Sequence, residues 1–266
     1  MKKIELVKVN HDTKIGDLCP SLEPNVNEDC MFLEDEKLVG FFIRRLPDSA
    51  GNLADIANTE LLSDRVPKSL MKRQIPDGKN EKGVFKYKDR VDQFSTIIGS
   101  IPPKPHMMRA YASRSSVHSV KSANVFVRAM YGLAIECENI IKELFPEQYN
   151  LQKSIFENVP AKWRFANLFT SSISNYNISA PFHRDAGNIV GTVNVIVTKR
   201  ANSIGGNLSI PDYGATIDQC DNSMLVYPAW KNVHGVTPIV PTKKGGYRNS
   251  LVFYPLKAFI SKSNQT

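Results

Sequence analysis

The fold is decided by six short apolar segments in the second half of the chain. They are RFANLFTSSISNYN (164–177), GTVNVIVTK (191–199), GGNLSIPDYG (205–214), SMLVYPAW (223–230), HGVTPIV (234–240) and RNSLVFYPL (248–256). Val, Ile, Thr, Tyr and Phe dominate these segments, and joints rich in Gly, Pro and Asn separate them. Short strands between frequent turns are typical of an antiparallel sandwich or jelly roll. The pattern therefore predicts a β domain that begins near Trp163.

Residues 124–145, NVFVRAMYGLAIECENIIKELF, predict the clearest helix of the chain. Apolar residues recur on one face at helical spacing, namely Phe126, Met130, Leu133, Ala134, Cys137, Ile140, Ile141 and Leu144. Pro146 is expected to end this helix. We expect the helix to pack on one sheet of the β domain, so that residues 124–266 form the core of an α+β protein.

Residues 1–123 are predicted to be a supporting portion packed on that core. The segment KLVGFFIRRL (37–46) predicts a strand that ends before Pro47. Residues 48–105 are polar and interrupted by Gly78, Gly83, Gly99 and the Pro102-Pro103 pair. This composition favours loops and short helices over regular structure.

Composition excludes several classes of protein. The chain of 266 residues is 42% hydrophobic and 23% charged, which is ordinary for a globular protein, and it has no apolar run long enough to span a membrane. Its first residues lack the apolar core of a signal peptide, so a soluble cytoplasmic protein is expected. The four cysteines (Cys19, Cys30, Cys137 and Cys220) form no CxxC pair and are expected to be reduced thiols.

The net charge of +8 is concentrated in one stretch. Residues 68–128 contain 13 Lys and Arg against 4 Asp and Glu, whereas residues 1–67 contain 8 against 13. Clustered cations favour a polyanion because neutralised phosphates release counterions. A polyanion is therefore the expected partner, with Tyr87, His106 and Tyr111 interleaved among the basic residues; a solvated lysine-rich surface is the alternative. Charge reversal at Lys68, Lys72, Arg73, Lys86 and Lys88 would weaken binding of a polyanion if these residues hold phosphates.

His183 and Asp185 carry the first indication of chemistry. Alternate side chains of an extended strand project from the same face, so both can reach one point in space. After residue 185 the chain contains one further histidine, His234, between two strand-like segments. Two histidines and one carboxylate form the facial triad of non-haem iron, which leaves three open positions for an oxidant and a co-substrate. The sequence therefore predicts Fe(II) at these residues; a surface histidine beside a carboxylate is the structural alternative.

Arg248 and Ser250 follow on the next predicted strand, with the same spacing of two. The co-substrate 2-oxoglutarate is a dicarboxylate, and its distal carboxylate needs a cationic partner. A guanidinium binds a carboxylate through two parallel hydrogen bonds. We therefore expect Arg248 to bind 2-oxoglutarate, with a supporting hydrogen bond from Ser250.

The run from Asn175 to Tyr254 resembles the double-stranded β-helix dioxygenases that use iron and 2-oxoglutarate. It is most similar to the TET and J-binding-protein group, which includes phage-encoded members. The similar segments are NYN…HRDxxN (175–188), GGNLSIPDYG (205–214), SMLVYPAWKNVHGVTPI (223–239) and YRNSLVFY (247–254). The resemblance covers roughly the last hundred residues and only faintly the part before Trp163.

This resemblance implies an oxidative enzyme that uses Fe(II), 2-oxoglutarate and O2 on the 5-methyl group of thymine or 5-methylcytosine in DNA. A base inside a duplex would have to be flipped out to reach the iron. The alternative is the same chemistry on a small molecule, a free nucleotide or a protein side chain; a non-enzymatic binding module is a third possibility.

The resemblance also assigns individual residues. It gives metal binding to His183, Asp185 and His234, and co-substrate binding to Arg248 and Ser250. Four further residues are expected to line the pocket: Asn188 and Asn177 near the cofactor, and Tyr213 and Trp230 near the substrate. For Asn188 a turn cap is the alternative, and for Tyr213 and Trp230 it is ordinary packing.

Overall fold

The computed structural model describes residues 1–82, 85–105 and 108–260, and of residues 69–79 and 85–92 it describes the backbone alone. The strands are β1 (Lys2–Glu5), β2 (Cys30–Glu34), β3 (Lys37–Ile43), β4 (Ser69–Lys79), β5 (Phe85–Ile101), β6 (Ser113–Arg114), β7 (Ser171–Tyr176), β8 (Ala180–His183), β9 (Asn194–Ala201), β10 (Ser203–Gly205), β11 (Leu208–Ile210), β12 (Ala215–Ile217), β13 (Met224–Tyr227), β14 (His234–Val236), β15 (Ile239–Pro241) and β16 (Tyr247–Tyr254). The α-helices are α1 (Asp48–Leu62), α2 (Asn124–Leu144) and α3 (Pro146–Phe156). Short 3-10 helices occupy Ser116–Ser119, Lys121–Ala123, Ala161–Trp163, Pro211–Tyr213 and Lys257–Phe259.

Two sheets form the jelly roll that the alternating segments predict. The larger sheet has the order β1-β2-β3-β13-β9-β16-β7-β5-β4, with β6 beside β5. The smaller sheet has the order β12-β11-β14-β8. Side chains from both sheets line one cavity between them, among them Ile196 of β9 and Leu208 of β11. The fold is therefore α+β, with a double-stranded β-helix core.

Two helices cover the outer face of the larger sheet. The core there combines Ala54 and Leu61 of α1 with Met130 and Leu133 of α2, and with alternate residues of β9 and β16 such as Val197. The helix predicted at 124–145 is confirmed, and Pro146 opens α3 directly after it. Within the described residues, no helix combines the length and apolarity that a membrane crossing requires.

The expectation of loops and short helices at residues 48–105 was wrong. This stretch forms α1, a helix of 15 residues, and then the β4–β5 hairpin, whose strands have 11 and 17 residues. Composition did not indicate these strands because they are defined by pairing, with β4 at the edge of the sheet beside β5, and β5 beside β7. Strands that precede residue 123 in the chain and strands that follow it belong to the same sheet. The division of the chain into two portions at residue 123 stays a prediction.

Gly99 and His118 form a partly buried junction where β5 passes the segment before α2. The Gly99 amide donates a hydrogen bond of 2.8 Å to His118 Nε2. Gly99 has φ +83°, and a Cβ there would lie 2.7 Å from the Thr170 carbonyl oxygen, so glycine is required. Burial, together with Arg114, lowers the pKa of His118, so the ring accepts this hydrogen bond as a neutral imidazole.

Lowering the pH from about 7.5 to about 5.5 is expected to destabilise the protein through His118. The unfolded chain binds a proton at an ordinary histidine pKa, about 6.5, whereas the folded chain binds it only at lower pH. The stabilisation is thus present above the unfolded pKa and is lost as the pH falls. Urea midpoints should decrease more in the wild type than in His118→Gln, which keeps an acceptor and does not titrate. Equal decreases would show that other groups cause the effect.

Candidate active site

The two histidines of the predicted triad lie opposite each other on neighbouring strands. His183 ends β8, and its Cα partner across the antiparallel pair is His234, the first residue of β14. Their ring centroids are 4.4 Å apart. Nδ1 of His183 donates to the Pro181 carbonyl at 2.8 Å, and Nδ1 of His234 donates to the Asn232 carbonyl at 3.0 Å. Because each Nδ1 carries the hydrogen, each Nε2 is left as a free ligand atom.

Asp185 does not lie on a strand, contrary to the extended HxD arrangement that we predicted. β8 ends at His183, and Asp185 lies in the following turn, where its amide donates to the Ala229 carbonyl at 3.1 Å. The backbone N–H of Asn188 in turn donates to the backbone carbonyl of Asp185 at 2.9 Å. The turn still brings the carboxylate to the histidines, with Oδ1 3.6 Å from His183 Nε2.

His183, Asp185 and His234 each offer a ligand atom, and these atoms all lie within 4.8 Å of one another. This donor set of two imidazoles and one carboxylate fits a divalent iron. The side chains of His183 and Asp185 are 41% and 34% exposed, whereas His234 is buried. Burial lowers the pKa of His234, although the Asp185 carboxylate opposes this shift, so the ring is held neutral and ready to bind a metal.

Arg248 lies at the other end of the cavity and is 3% exposed. Its Nη2 donates to Gln219 Oε1 at 3.3 Å, and its Nε is buried without a hydrogen-bond partner. Burial and the nearby Arg200 lower the pKa of Arg248 to about 9. A buried guanidinium without a carboxylate partner is costly, so this end of the cavity is suited to an anion.

A cavity of about 320 Å³ connects the two ends of the site. Its lining includes His183, Asp185 and His234 at one end, and Arg248 and Ser250 at the other. The predicted spacing on β16 is confirmed, since Arg248 and Ser250 face the same cavity. Because His183 and Asp185 are partly exposed while Arg248 is buried, the metal end opens to solvent and the arginine end is closed.

The two asparagines assigned to the cofactor differ in position. Asn188 lines the cavity, and its Nδ2 donates to Asn194 Oδ1 at 2.7 Å. Asn177 is not among the cavity residues. The Oδ1 atom of Asn177 accepts a hydrogen bond of 2.9 Å from the backbone N–H of Arg248. The backbone N–H of Asn177 donates to the carbonyl oxygen of Arg248. Asn177 thus fixes the backbone of Arg248, and its φ of +53° is one that asparagine tolerates well.

Tyr213 and Trp230, assigned to the substrate, are also outside the cavity lining. The Tyr213 hydroxyl donates to Glu34 Oε1 at 2.9 Å, and Glu34 also forms an ion pair with Lys231. The Trp230 indole donates to the Thr192 carbonyl at 2.8 Å. Both aromatic residues therefore connect distant segments of the chain through their polar atoms, and their assignment to the substrate stays a prediction.

Three polar residues of this region were missed by sequence reasoning. Asn194 and Asn175 line the cavity, and Gln219 is fully buried and contacts Arg248. Asn194 could have been found, because it is the polar residue of the apolar run VNVIV (193–197) and shares a strand face with Ile196. Gln219 lies in an irregular segment after β12, and its position relative to Arg248 has no local sequence signal.

Comparison with known proteins agrees with this geometry. Residues 103–257 match the Tet_JBP family, the oxygenase domain of the 2OGFeDO superfamily. A solved structure described as NgTET1 in complex with 5mC DNA has a similar fold, with a TM-score of 0.58 at 13% identity over 93% of this chain and 86% of that one. A comparison with curated protein sequences gives no match.

Two further solved structures are similar over most of the chain. One is a 2OG-Fe(II) oxygenase family protein from Burkholderia pseudomallei, with 12% identity, a TM-score of 0.48, and coverage of 84% of this chain and 88% of that one. The other is a putative oxygenase from Shewanella oneidensis, with 15% identity, a TM-score of 0.43 and 85% of both chains covered. The family match spans more than half of the chain and includes all of the residues of the site. The chain therefore belongs to the Tet_JBP family and is an Fe(II)- and 2-oxoglutarate-dependent dioxygenase.

Proposed function

We propose that this enzyme hydroxylates the 5-methyl group of a pyrimidine base in DNA, either thymine or 5-methylcytosine. The observation that carries the proposal is the cavity that joins a His-Asp-His cluster to Arg248, a buried arginine that has no ion-pair partner among the described residues. In this assignment His183, Asp185 and His234 hold Fe(II), and Arg248 holds 2-oxoglutarate. Bound iron, with 2-oxoglutarate and O2, supplies the oxidising power needed to hydroxylate an unactivated C–H bond.

The residues of the chain perform the positioning. Nε2 of each histidine is free because Nδ1 is engaged by a backbone carbonyl. Arg248 provides the charged partner for the distal carboxylate, and Ser250 lies on the same strand face to add a hydrogen bond. Asn177 holds the backbone of Arg248 in register. The diacid is thereby directed with one end toward the metal ligands and the other into the closed end of the cavity.

The open end of the cavity suits a flat, weakly polar group. Next to the metal ligands, Tyr227, Tyr254 and Leu256 contribute largely apolar side chains, and Asn188 contributes a polar one. Pockets that bind a small ring combine apolar walls with a few polar groups in this way. NgTET1, a protein of similar fold, is described in complex with 5mC DNA. We extend that substrate class to this chain, with a base that is flipped out of its duplex.

Mass spectrometry of nucleosides tests this proposal directly. DNA that contains thymine, with or without 5-methylcytosine, is incubated with enzyme, Fe(II), 2-oxoglutarate and ascorbate. We expect one pyrimidine nucleoside to gain an oxygen atom, with succinate formed alongside, and no gain when 2-oxoglutarate is omitted. Succinate formation without any oxygenated nucleoside would instead favour a small molecule, a free nucleotide or a protein side chain as the substrate.

The register of the larger sheet divides the basic segment 68–128 between two ends of the molecule. On one side of β7, Tyr176 pairs with Phe94 of β5, and Ser171 pairs with Gly99 of β5. On the other side of β7, Ser171 pairs with Tyr254 of β16. The β4–β5 pairing extends beyond the row of Phe94, toward the end where Arg248 lies. Residues after Gly99 leave at the Tyr254 end, which is the metal end. We therefore expect the segment beyond residue 101, more than the hairpin, to approach a substrate at the open end.

Three exposed lysines lie at this end, and we name them the mouth lysines: Lys104, Lys162 and Lys257. The Lys257 amide donates to the carbonyl of Gly187, a cavity residue. Lys162 lies over the ring of Trp163, which packs in one cluster with the cavity residue Leu256. Among the described residues, none of the three lysines has a carboxylate within ion-pair distance. Unpaired cations around an opening are suited to the phosphates beside a flipped nucleotide.

Replacing the three mouth lysines with Glu is expected to weaken DNA binding by at least about tenfold at moderate salt. The dependence of log Kd on log salt should become shallower by roughly one unit for each phosphate that the variant no longer neutralises. Fluorescence anisotropy with a labelled duplex measures both quantities. The matched control is Lys37, Lys243 and Lys244→Glu, which makes the same change in net charge at exposed positions elsewhere.

Equal weakening by both triple variants would indicate a nonspecific charge effect and would contradict a role for the mouth lysines. A third variant, with Glu at Lys72, Arg73, Lys86 and Lys88, addresses the hairpin. The side chains of these four residues lie outside the described part of the structure. We expect this variant to weaken binding less than the mouth variant does.

A further inference from the structure

Asp185 has two carboxylate oxygens, and the structure gives them different environments. Oδ1 lies 3.6 Å from His183 Nε2, within the cluster of ligand atoms. Oδ2 accepts a hydrogen bond of 2.9 Å from Asn194 Nδ2. A hydrogen bond to an ionised acceptor is among the stronger ones in proteins. One oxygen is therefore directed toward the metal site while the other is engaged by the protein.

The orientation of the side-chain amide of Asn194 is fixed by its neighbours. An ionised carboxylate only accepts hydrogen bonds, so the amide must turn its NH2 group toward Asp185. Its Oδ1 then faces Asn188, whose Nδ2 donates to it at 2.7 Å. Asn188 and Asn194 are only 4% and 2% exposed, so water cannot readily replace either bond. The three residues form a directional chain of hydrogen bonds from Asn188 through Asn194 to Asp185.

Both asparagines are held by regular structure. Asn194 is the first residue of β9 and pairs with Tyr227 of β13. Asn188 forms an isolated bridge with Leu256, directly after β16. The loop between them is tied down by buried Gln152, whose Oε1 accepts from the Val193 amide at 2.9 Å. The donor on Asp185 Oδ2 is thus preorganised by the larger sheet, although Asp185 itself lies in a turn.

We propose that Asn194 is a positioning residue that keeps Asp185 a one-oxygen ligand of the iron, with Asn188 holding Asn194 in the required orientation. Two imidazoles and one oxygen occupy three of six coordination positions. A chelating 2-oxoglutarate requires two of the others, and the oxidant requires the last. If Asp185 turned both oxygens to the metal, one of these positions would be lost. The inference rests on the assignment of the metal ligands in the proposed function and does not depend on the identity of the substrate.

Metal binding measured without nucleic acid tests this inference. Purified apoprotein is titrated with Mn(II), with free Mn(II) followed by electron paramagnetic resonance. Asn194→Leu keeps the size of the side chain and removes the donor. We expect its Kd for Mn(II) to rise about 10- to 100-fold, the range typical for loss of a group that orients a metal ligand. At saturating Mn(II), 2-oxoglutarate should also bind more weakly to this variant.

The matched control is Asn249→Leu. Asn249 is fully buried on β16, and its Nδ2 donates to Asn58 Oδ1 at 2.6 Å, away from the metal ligands. Its loss should lower thermal stability and leave the Kd for Mn(II) within about twofold of wild type, a difference below roughly 0.4 kcal/mol. This comparison separates orientation of the carboxylate from loss of a buried amide.

Asn188→Ala is measured in parallel, because it leaves Asn194 in place and removes only the bond that orients it. We expect a smaller rise in the Kd for Mn(II) than in Asn194→Leu. If whichever of Asn194→Leu and Asn188→Ala folds binds both Mn(II) and 2-oxoglutarate as tightly as the wild type, the inference is overturned, while metal binding by the wild type leaves the proposed function intact. Absence of Mn(II) and Fe(II) binding by the wild type would instead contradict the metal-site assignment itself.

Discussion

His234→Ala is expected to abolish stoichiometric Fe(II) binding and to lower turnover by a factor on the order of a thousand or more. That factor corresponds to a loss of about 4 kcal/mol of transition-state stabilisation. The reason is geometric. His234 is the buried member of the cluster, and its Nε2 is left free for a metal because Nδ1 is bound to the Asn232 carbonyl. Fe(II) content after anaerobic loading and gel filtration, together with succinate formation, measures the effect.

His11→Ala is the control for this prediction. His11 Nε2 donates a hydrogen bond of 2.8 Å to Asp212 Oδ1, and His11 does not belong to the metal cluster. Its loss should leave Fe(II) content and turnover close to those of the wild type. Retention of one Fe(II) per chain by His234→Ala, with turnover lowered less than about tenfold, would contradict the metal site.

Arg248→Met is expected to raise the KM for 2-oxoglutarate by about 100-fold or more, which corresponds to about 2.7 kcal/mol of lost binding. It should at the same time leave the Tm of the free protein unchanged or raise it. Both effects follow from one observation. Among the described residues, the buried guanidinium has the neutral Gln219 as its one side-chain hydrogen-bond partner, and Arg200 lies nearby. Replacing Arg248 removes a buried charge that has no ion-pair partner among the described residues, which should stabilise the apoprotein. The same change removes the cation that binds the distal carboxylate, which should weaken the binding of 2-oxoglutarate.

Thermal shift with and without ligand separates these effects. In the wild type, 2-oxoglutarate with Mn(II) should raise the Tm, because the ligand binds the folded state alone. In Arg248→Met this increase should disappear. The control is Arg65→Met, since Arg65 forms an ion pair with Glu60 outside the cavity. A destabilised Arg248→Met apoprotein that still binds 2-oxoglutarate with wild-type KM would contradict the assignment.

These predictions concern residues that could be found from the sequence because the relevant geometry is local. Arg248 and Ser250 were placed on one face by the period of two in a strand, and β16 confirms this placement. The stripe from Phe126 to Ile141 was placed in the core by the helical period, and α2 confirms it. In both cases a single element fixes the relation between the residues.

Residues whose positions depend on other elements could not be found in this way. The β4–β5 hairpin is polar, and β5 joins the sheet by pairing with β7, 72 to 82 residues later in the chain, while β4 pairs with β5. Tyr213 and Trp230 have the composition of pocket residues, yet long-range bonds to Glu34 and Thr192 direct their polar atoms away from the cavity. Composition does not specify such partners, because each depends on how the chain closes on itself.

The sequence by itself determined the α+β jelly roll and the donor set of two histidines and one carboxylate, and it predicted Arg248 as the cation for a diacid. It could do so because side-chain period and ligand chemistry are properties of neighbouring residues. Only the tertiary structure decided that Asp185 leaves the strand, that Asn194 engages one of its oxygens, and that the basic segment divides between two ends of the sheet. These features result from hydrogen bonds and strand registers between distant segments, which exist only after the two sheets have packed against each other.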